Sequence, residues 1–196
     1  MGTANSVTVN GSTVQAPFAV SDAWIRLFLE QNPKYNTASI TYPKFRQLFA
    51  QANTEYDGLI GINNPNLSPF RAAGGKMITW QGLADDLVFS EGTLNYYKEV
   101  EKAVGGKDAS DFYRLFLAPG AGHCYSEAGP TPKDALVELV AWVEHGVPPE
   151  SLAAELIGPG GAPVTRNICR YPLVSRYDGK GDPNSASSYA CATGFR

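Results

Sequence analysis

Apolar and polar positions along this chain follow two different rhythms, one on either side of a turn-rich joint. In residues 1 to 20, Val7, Val9 and Val14 alternate with polar residues, which reads as loop or short strand. Ser21 suits a helix N-cap ahead of Asp22 to Glu30, because its hydroxyl can accept a backbone N–H while Asp22 meets the positive end of the helix, and Pro33 stops that helix. A second helix is predicted from Pro43 to Ala52, with proline in the first turn and Phe45, Leu48 and Phe49 on one face. The turn cluster from Asn63 to Pro69 and the pair Gly74-Gly75 form a joint, which places a domain boundary near residue 70.

Beyond the joint, strand and helix patterns alternate. Lys76 to Gln81 reads as a strand, Gly92 to Val104 as a helix, Phe112 to Ala118 as a strand and Pro132 to His145 as a helix, which together predict a parallel α/β sheet. The last helix is the most fully specified. Thr131 is placed to cap it, Pro132 to open it and Asp134 to close a capping-box-like pair; Leu136, Leu139, Val140 and Val143 share a face, and Gly146 and Pro148 follow. From Gly158 onward Gly, Pro, Asn and Ser dominate without helical periodicity, so this tail needs a staple, which Cys169 with Cys191 could supply.

Composition narrows the function classes. The 196 residues are 43% hydrophobic and 18% charged, with ten Tyr, nine Phe and three Trp, enough apolar material for a sizeable globular core. A formal net charge of -3 and the lack of a Lys/Arg cluster interleaved with aromatics argue against nucleic acid as a partner. No apolar run approaches the roughly 20 residues of a membrane span, and Met1 to Val20 has the polar character of neither a span nor a signal peptide. Two N-x-[ST] acceptors, Asn10-Gly11-Ser12 and Asn66-Leu67-Ser68, are compatible with secretion. The three cysteines, Cys124, Cys169 and Cys191, are an odd number, which in a secreted chain means an intermolecular bond or a free thiol, and in a cytosolic one three buried thiols.

In parallel α/β proteins the functional loops lie beyond the carboxyl ends of the strands. After the first predicted strand comes Gly82-Leu83-Ala84-Asp85-Asp86, which presents a carboxylate; after the second comes Pro119-Gly120-Ala121-Gly122-His123-Cys124, which presents an imidazole in a Gly-rich turn. An Asp-Asp pair also suits a surface turn, and a lone histidine also suits a structural place, as His145 does at a helix end where a cation meets the dipole. What favours catalysis is order. An acid followed one strand later by a histidine is how α/β-hydrolases arrange the second and third members of a Ser, acid, His triad, in which the carboxylate fixes the imidazole tautomer and stabilises the imidazolium. The nucleophile is not in evidence: no G-x-S-x-G occurs, and the nearest stretch, Val88-Phe89-Ser90-Glu91-Gly92, lacks the first glycine and follows the acid.

These residues resemble a known family. Asn64 to Arg71, Gly74-Gly75-Lys76, Gly82-Leu83-Ala84-Asp85, Phe112 to Gly120, Gly122-His123-Cys124, Trp142-Val143-Glu144 and Cys169-Arg170-Tyr171-Pro172 are similar to the tannase and feruloyl esterase family, and the likeness covers nearly the whole chain. The resemblance implies an α/β-hydrolase domain, here residues 71–196, preceded by the end of a lid domain, residues 1–70. It implies Asp85 as triad acid and His123 as triad base. Cys124 would be bonded to a cysteine beside the nucleophile, outside this chain, leaving Cys169 and Cys191 to pair with each other. The activity implied is that of a secreted, extracellular serine esterase on small phenolic esters, feruloyl and related hydroxycinnamoyl esters or, as the runner-up, galloyl esters; a reading of a different class is that the isolated chain is a noncatalytic binding fragment. The implied partner is the N-terminal portion of the same precursor. No cofactor is implied for catalysis and no metal in this chain; a structural Ca²⁺ would belong to the part of the lid outside it.

Overall fold

In the computed structural model, which describes residues 4–105, 109–124 and 129–194, the chain divides into two units between Asn63 and Asn64. The division precedes the joint expected near residue 70 because Asn64 to Ala73 is tied to the second unit. Leu67 packs on its core, Tyr96 donates its hydroxyl to the Asn64 carbonyl, and Arg71 forms an ion pair with Asp111.

The first unit opens with an antiparallel hairpin, β1 (Ala4–Val9) and β2 (Ser12–Pro17). Its two-residue turn places Asn10 and Gly11 at positive φ, the arrangement whose twist suits adjoining strands. The first helix, α1 (Ala19–Trp24), starts earlier than expected and widens into a π-helical turn, Ile25–Leu29, before Pro33. Ser21 therefore lies inside α1 rather than capping it. The chain enters the helix at Phe18, whose carbonyl accepts the Asp22 N–H, and the Asp22 carboxylate is taken up by Arg26 and the Thr37 hydroxyl instead. The second helix, α2 (Tyr42–Ile60), runs well past Ala52. Its polar second half is held by tertiary bonds, with Gln51 and Tyr56 donating to the Leu29 and Phe28 carbonyls.

In the second unit, after a short helix α3 (Ser68–Ala72), strand β3 (Met77–Gly82) leads through helix α4 (Ser90–Ala103) to strand β4 (Tyr113–Ala118), and the two strands pair in parallel. β4 is almost wholly buried. Tyr113 and Leu115 pack with Tyr97 and Val100 of α4, whereas Phe116 and Ala118 pack with Leu152, Ala154 and Ile168, as the alternation of a strand buried on both faces requires.

The C-terminal third departs from the sequence reading. Thr131–Pro132 is not the start of a helix but a two-residue edge strand, β5, paired with β6 (Ser151–Ile157), a position where proline's missing N–H costs nothing. Helix α5 begins only at Ala135 and runs to His145, with no side-chain cap from Asp134. It ends as expected on Gly146 in the left-handed conformation, with the Gly146 and Val147 N–H groups donating back to Trp142 and Ala141. The apolar residues expected to share a face are mostly turned to the outside. Leu136, Val140 and Val143 are exposed, while Trp142 is buried and Leu139 half-buried. A helix apolar on every side offers no single face for periodicity to select.

The tail is likewise not irregular. β6 pairs antiparallel with β7 (Pro163–Cys169), and β8 (Leu173–Tyr177) with β9 (Tyr189–Thr193). The Tyr171 N–H bonds to the Leu115 carbonyl and Phe116 bridges Arg170, which joins this antiparallel part to the edge of β4. The parallel pairing expected for the sheet is thus confined, among the described residues, to β3 and β4. A disulfide joins Cys169 to Cys191 across a separation of 22 residues and fastens β7 to β9. Cys191→Ser, which releases that loop, is expected to cost roughly 3 kcal/mol by loop-closure entropy, read as a lower denaturant midpoint; an unchanged midpoint would show that strand pairing alone holds the tail. Among the described residues no helix is long and apolar enough to cross a membrane.

Candidate active site

The register of β3 and β4 brings the acid and histidine loops side by side. Gly82 and Ala118 are partners at the carboxyl ends of the two strands. Past them the loops remain joined, the Leu83 N–H donating to the Ala118 carbonyl at 3.0 Å and the Ala84 N–H to the Ala121 carbonyl at 2.9 Å. Two glycines permit this closeness. A Cβ at Gly82 would overlap the Ala121 carbonyl, and one at Gly129 would overlap the Ala121 amide.

Asp85 is turned inward rather than lying in a surface turn: its side chain is 6% exposed. Oδ1 accepts the backbone N–H groups of Leu87 and Val88, both at 2.9 Å, and Oδ2 accepts Gln81 Nε2 at 3.1 Å. His123 Nδ1 lies 3.0 Å from Oδ2 and 3.2 Å from Oδ1. Burial works to raise the Asp85 pKa, but the Val88 and Leu87 N–H groups, and after them His123, outweigh it and hold the carboxyl down at about 2. Asp85 is therefore ionised across the neutral range and can only accept. Nδ1 of His123 must then carry the shared proton, so that the neutral form of the ring presents its lone pair at Nε2, as a general base requires.

His123 is 39% exposed. It borders a shallow depression of about 280 Å³ lined by Trp80, Gln81, Asp85, Val88, Gly122 and Cys124 among others. A larger, mostly apolar cavity of about 830 Å³ opens elsewhere, against Leu117, Tyr171, Val174 and Tyr177, and contains neither Asp85 nor His123. Cys124 is exposed, has a positive φ of 56° and is not bonded to either of the other cysteines. His145 lies in the last turn of α5.

Sequence reasoning thus named residues that the fold assembles, and it passed over one. Gln81, 9% exposed, reaches Asp85, and its Oε1 accepts the hydroxyl of Thr93 at 3.0 Å. The signal was an amide at the end of an otherwise apolar strand, where a buried polar group needs a partner.

A crossover from strand through helix to parallel strand, with an acid and a histidine in successive loops beyond the carboxyl ends, defines an α/β-hydrolase architecture. More narrowly, residues 3–192 match the family described as tannase and feruloyl esterase, and the chain belongs to that family. A probable feruloyl esterase of Arthroderma benhamiae is 43% identical over 100% of this chain and 37% of its own length. The mono(2-hydroxyethyl) terephthalate hydrolase of Piscinibacter sakaiensis is 39% identical over 74% of this chain and 24% of its own. The crystal structure of feruloyl esterase B from Aspergillus oryzae superposes with a TM-score of 0.77 at 28% identity, covering 90% of this chain and 38% of that one. The chain spans well under half the length of the relatives it matches.

Proposed function

We propose that this chain supplies the acid and the base of a secreted serine carboxylic ester hydrolase acting on phenolic esters, and that polypeptide preceding it in a longer precursor supplies the serine. The observation that carries this reading is the ionised Asp85 carboxylate 3.0 Å from His123 Nδ1 at the ends of two parallel strands. In the scheme, His123 Nε2 takes the proton of the serine hydroxyl as it attacks the ester carbonyl. It returns that proton to the leaving alcohol, then activates water to cleave the acyl-enzyme. Asp85 holds the ring in one tautomer and stabilises the imidazolium. The scheme calls for no cofactor, and in it a structural Ca²⁺ would belong to the part of the lid outside this chain.

Three features support a preceding polypeptide as partner. Among the described residues β3 pairs with β4 on one edge and with nothing on the other, and α5 exposes Leu136, Val137, Val140 and Val143. The free, exposed thiol of Cys124 next to His123 is the third; a bond from it to a cysteine near the serine would hold base and nucleophile in one geometry. Secretion is supported by the Cys169–Cys191 bond, which suits an oxidising compartment, and by the exposed acceptors Asn10 and Asn66. Hydroxycinnamoyl esters are the favoured substrates because the 43% relative carries the feruloyl name.

The test is hydrolysis of methyl ferulate, chlorogenate and methyl gallate by the whole precursor, with masses compared before and after reduction. Feruloyl turnover together with a reducible link through Cys124 is expected. Gallate turnover alone would move the assignment to galloyl esters, and no turnover of any ester would favour a binding fragment.

A further inference from the structure

Resting on that esterase reading, we propose that Gln81 is a positioning residue of the reaction: it fixes the Asp85 carboxylate in the orientation that keeps Oδ2 on His123, and Thr93 in turn aims Gln81. The orientation of the Gln81 amide follows from its neighbours. Nε2 lies 3.0 Å from the Val88 carbonyl, 3.1 Å from Asp85 Oδ2 and 3.3 Å from the Gly82 carbonyl. All three can only accept, so the NH₂ must face them, and Oε1 faces the Thr93 hydroxyl, which donates at 3.0 Å.

The distribution of donors around Asp85 gives Gln81 its role. Both backbone bonds, from Leu87 and Val88, converge on Oδ1, so they anchor one oxygen and leave the plane of the carboxylate to whatever meets the other. Oδ2 meets two groups. His123 is a half-exposed ring on a loop, and it is the group that takes and returns the proton; Gln81 is a buried amide on a strand. Gln81 therefore sets the carboxylate plane independently of the ring. By holding the Val88 carbonyl with the same nitrogen, it also closes the loop through which Val88 N–H grips Oδ1. Thr93 lies in the first turn of α4, so the start of that helix is coupled to the acid through one amide.

The measurement is steady-state kinetics per folded molecule of the whole precursor. Gln81→Met keeps the length of the side chain and removes the donor; kcat should fall about 10-fold with KM unchanged, the scale of one lost hydrogen bond to a charged group. Thr93→Val touches neither Asp85 nor His123 and should lower kcat by about 3-fold at the same KM. The double variant should be no slower than Gln81→Met alone, because Thr93 acts through Gln81. A wild-type kcat in Gln81→Met, a change confined to the folded fraction or to KM, or losses that multiply in the double variant would each overturn the proposal. If Gln81→Met does not fold, Thr93→Val decides, and an unchanged kcat there sinks the idea. His123→Ala separates the two levels: if it keeps its activity, the esterase reading fails, whereas an inactive His123→Ala beside a full-rate Gln81→Met removes this inference alone.

Discussion

His123→Ala in the whole precursor should lower kcat by roughly four orders of magnitude, the scale at which a triad loses its base, with KM little changed. The reason lies in what the ring contributes that nothing nearby can replace. With Nδ1 committed to an ionised Asp85, the lone pair of the neutral ring lies at Nε2, and the depression the ring borders is otherwise lined by apolar side chains, backbone, the Gln81 amide, the Asp85 carboxylate and the Cys124 thiol. The stability of the variant should be close to that of the parent, because the ring is partly exposed. Ester hydrolysis within about tenfold of the parent rate would remove His123 from the mechanism.

Asp85→Asn should cost kcat nearly as much, about 10³- to 10⁴-fold, as the corresponding change does in the worked serine-protease triad. It should lower stability as well. Each polar contact on this carboxylate described above comes from a donor: two backbone N–H groups, the Gln81 amide and His123 Nδ1. An asparagine NH₂ therefore faces a donor whichever way it turns. Facing the ring, it forces the tautomer that places a hydrogen on Nε2 and abolishes the base. The pH dependence carries its own sign. The folded carboxyl, held at about 2, lies below the ordinary value of 3.8. Its contribution to stability is therefore complete above that value and is lost as pH falls toward 2. The gap in denaturant midpoint between parent and Asp85→Asn should be widest near neutrality and narrow below pH 4; a gap independent of pH would mean that the carboxylate's charge does not stabilise the fold.

Much of this site was legible because its logic is local and serial. Lys76 to Gln81 and Phe112 to Ala118 read as strands from their apolar runs, and the segment between them as a helix, so a parallel pairing followed from their alternation. Two parallel neighbours end at the same level, and the residues just past those ends were then bound to lie close, which is why Asp85 and His123 could be paired on paper before any distance was known. The pairing of Cys169 with Cys191 was open on spacing alone, since three cysteines allow three pairs; the family resemblance selected it, and the structure shows it.

By itself, then, the sequence determined the order of elements, the two loops and the chemistry they carry, all properties of neighbours along the chain. Only the tertiary structure decided which side of α5 turns inward, that Thr131 and Pro132 belong to a strand, and that the Gly- and Pro-rich tail folds into antiparallel strand pairs rather than a loop. It also decided that Gln81 stands behind Asp85. The physical reason is common to all four: a helix apolar all round, a two-residue strand, a short half-buried hairpin and a buried amide take their places from partners distant in sequence, and such partners leave no period in the chain to be read.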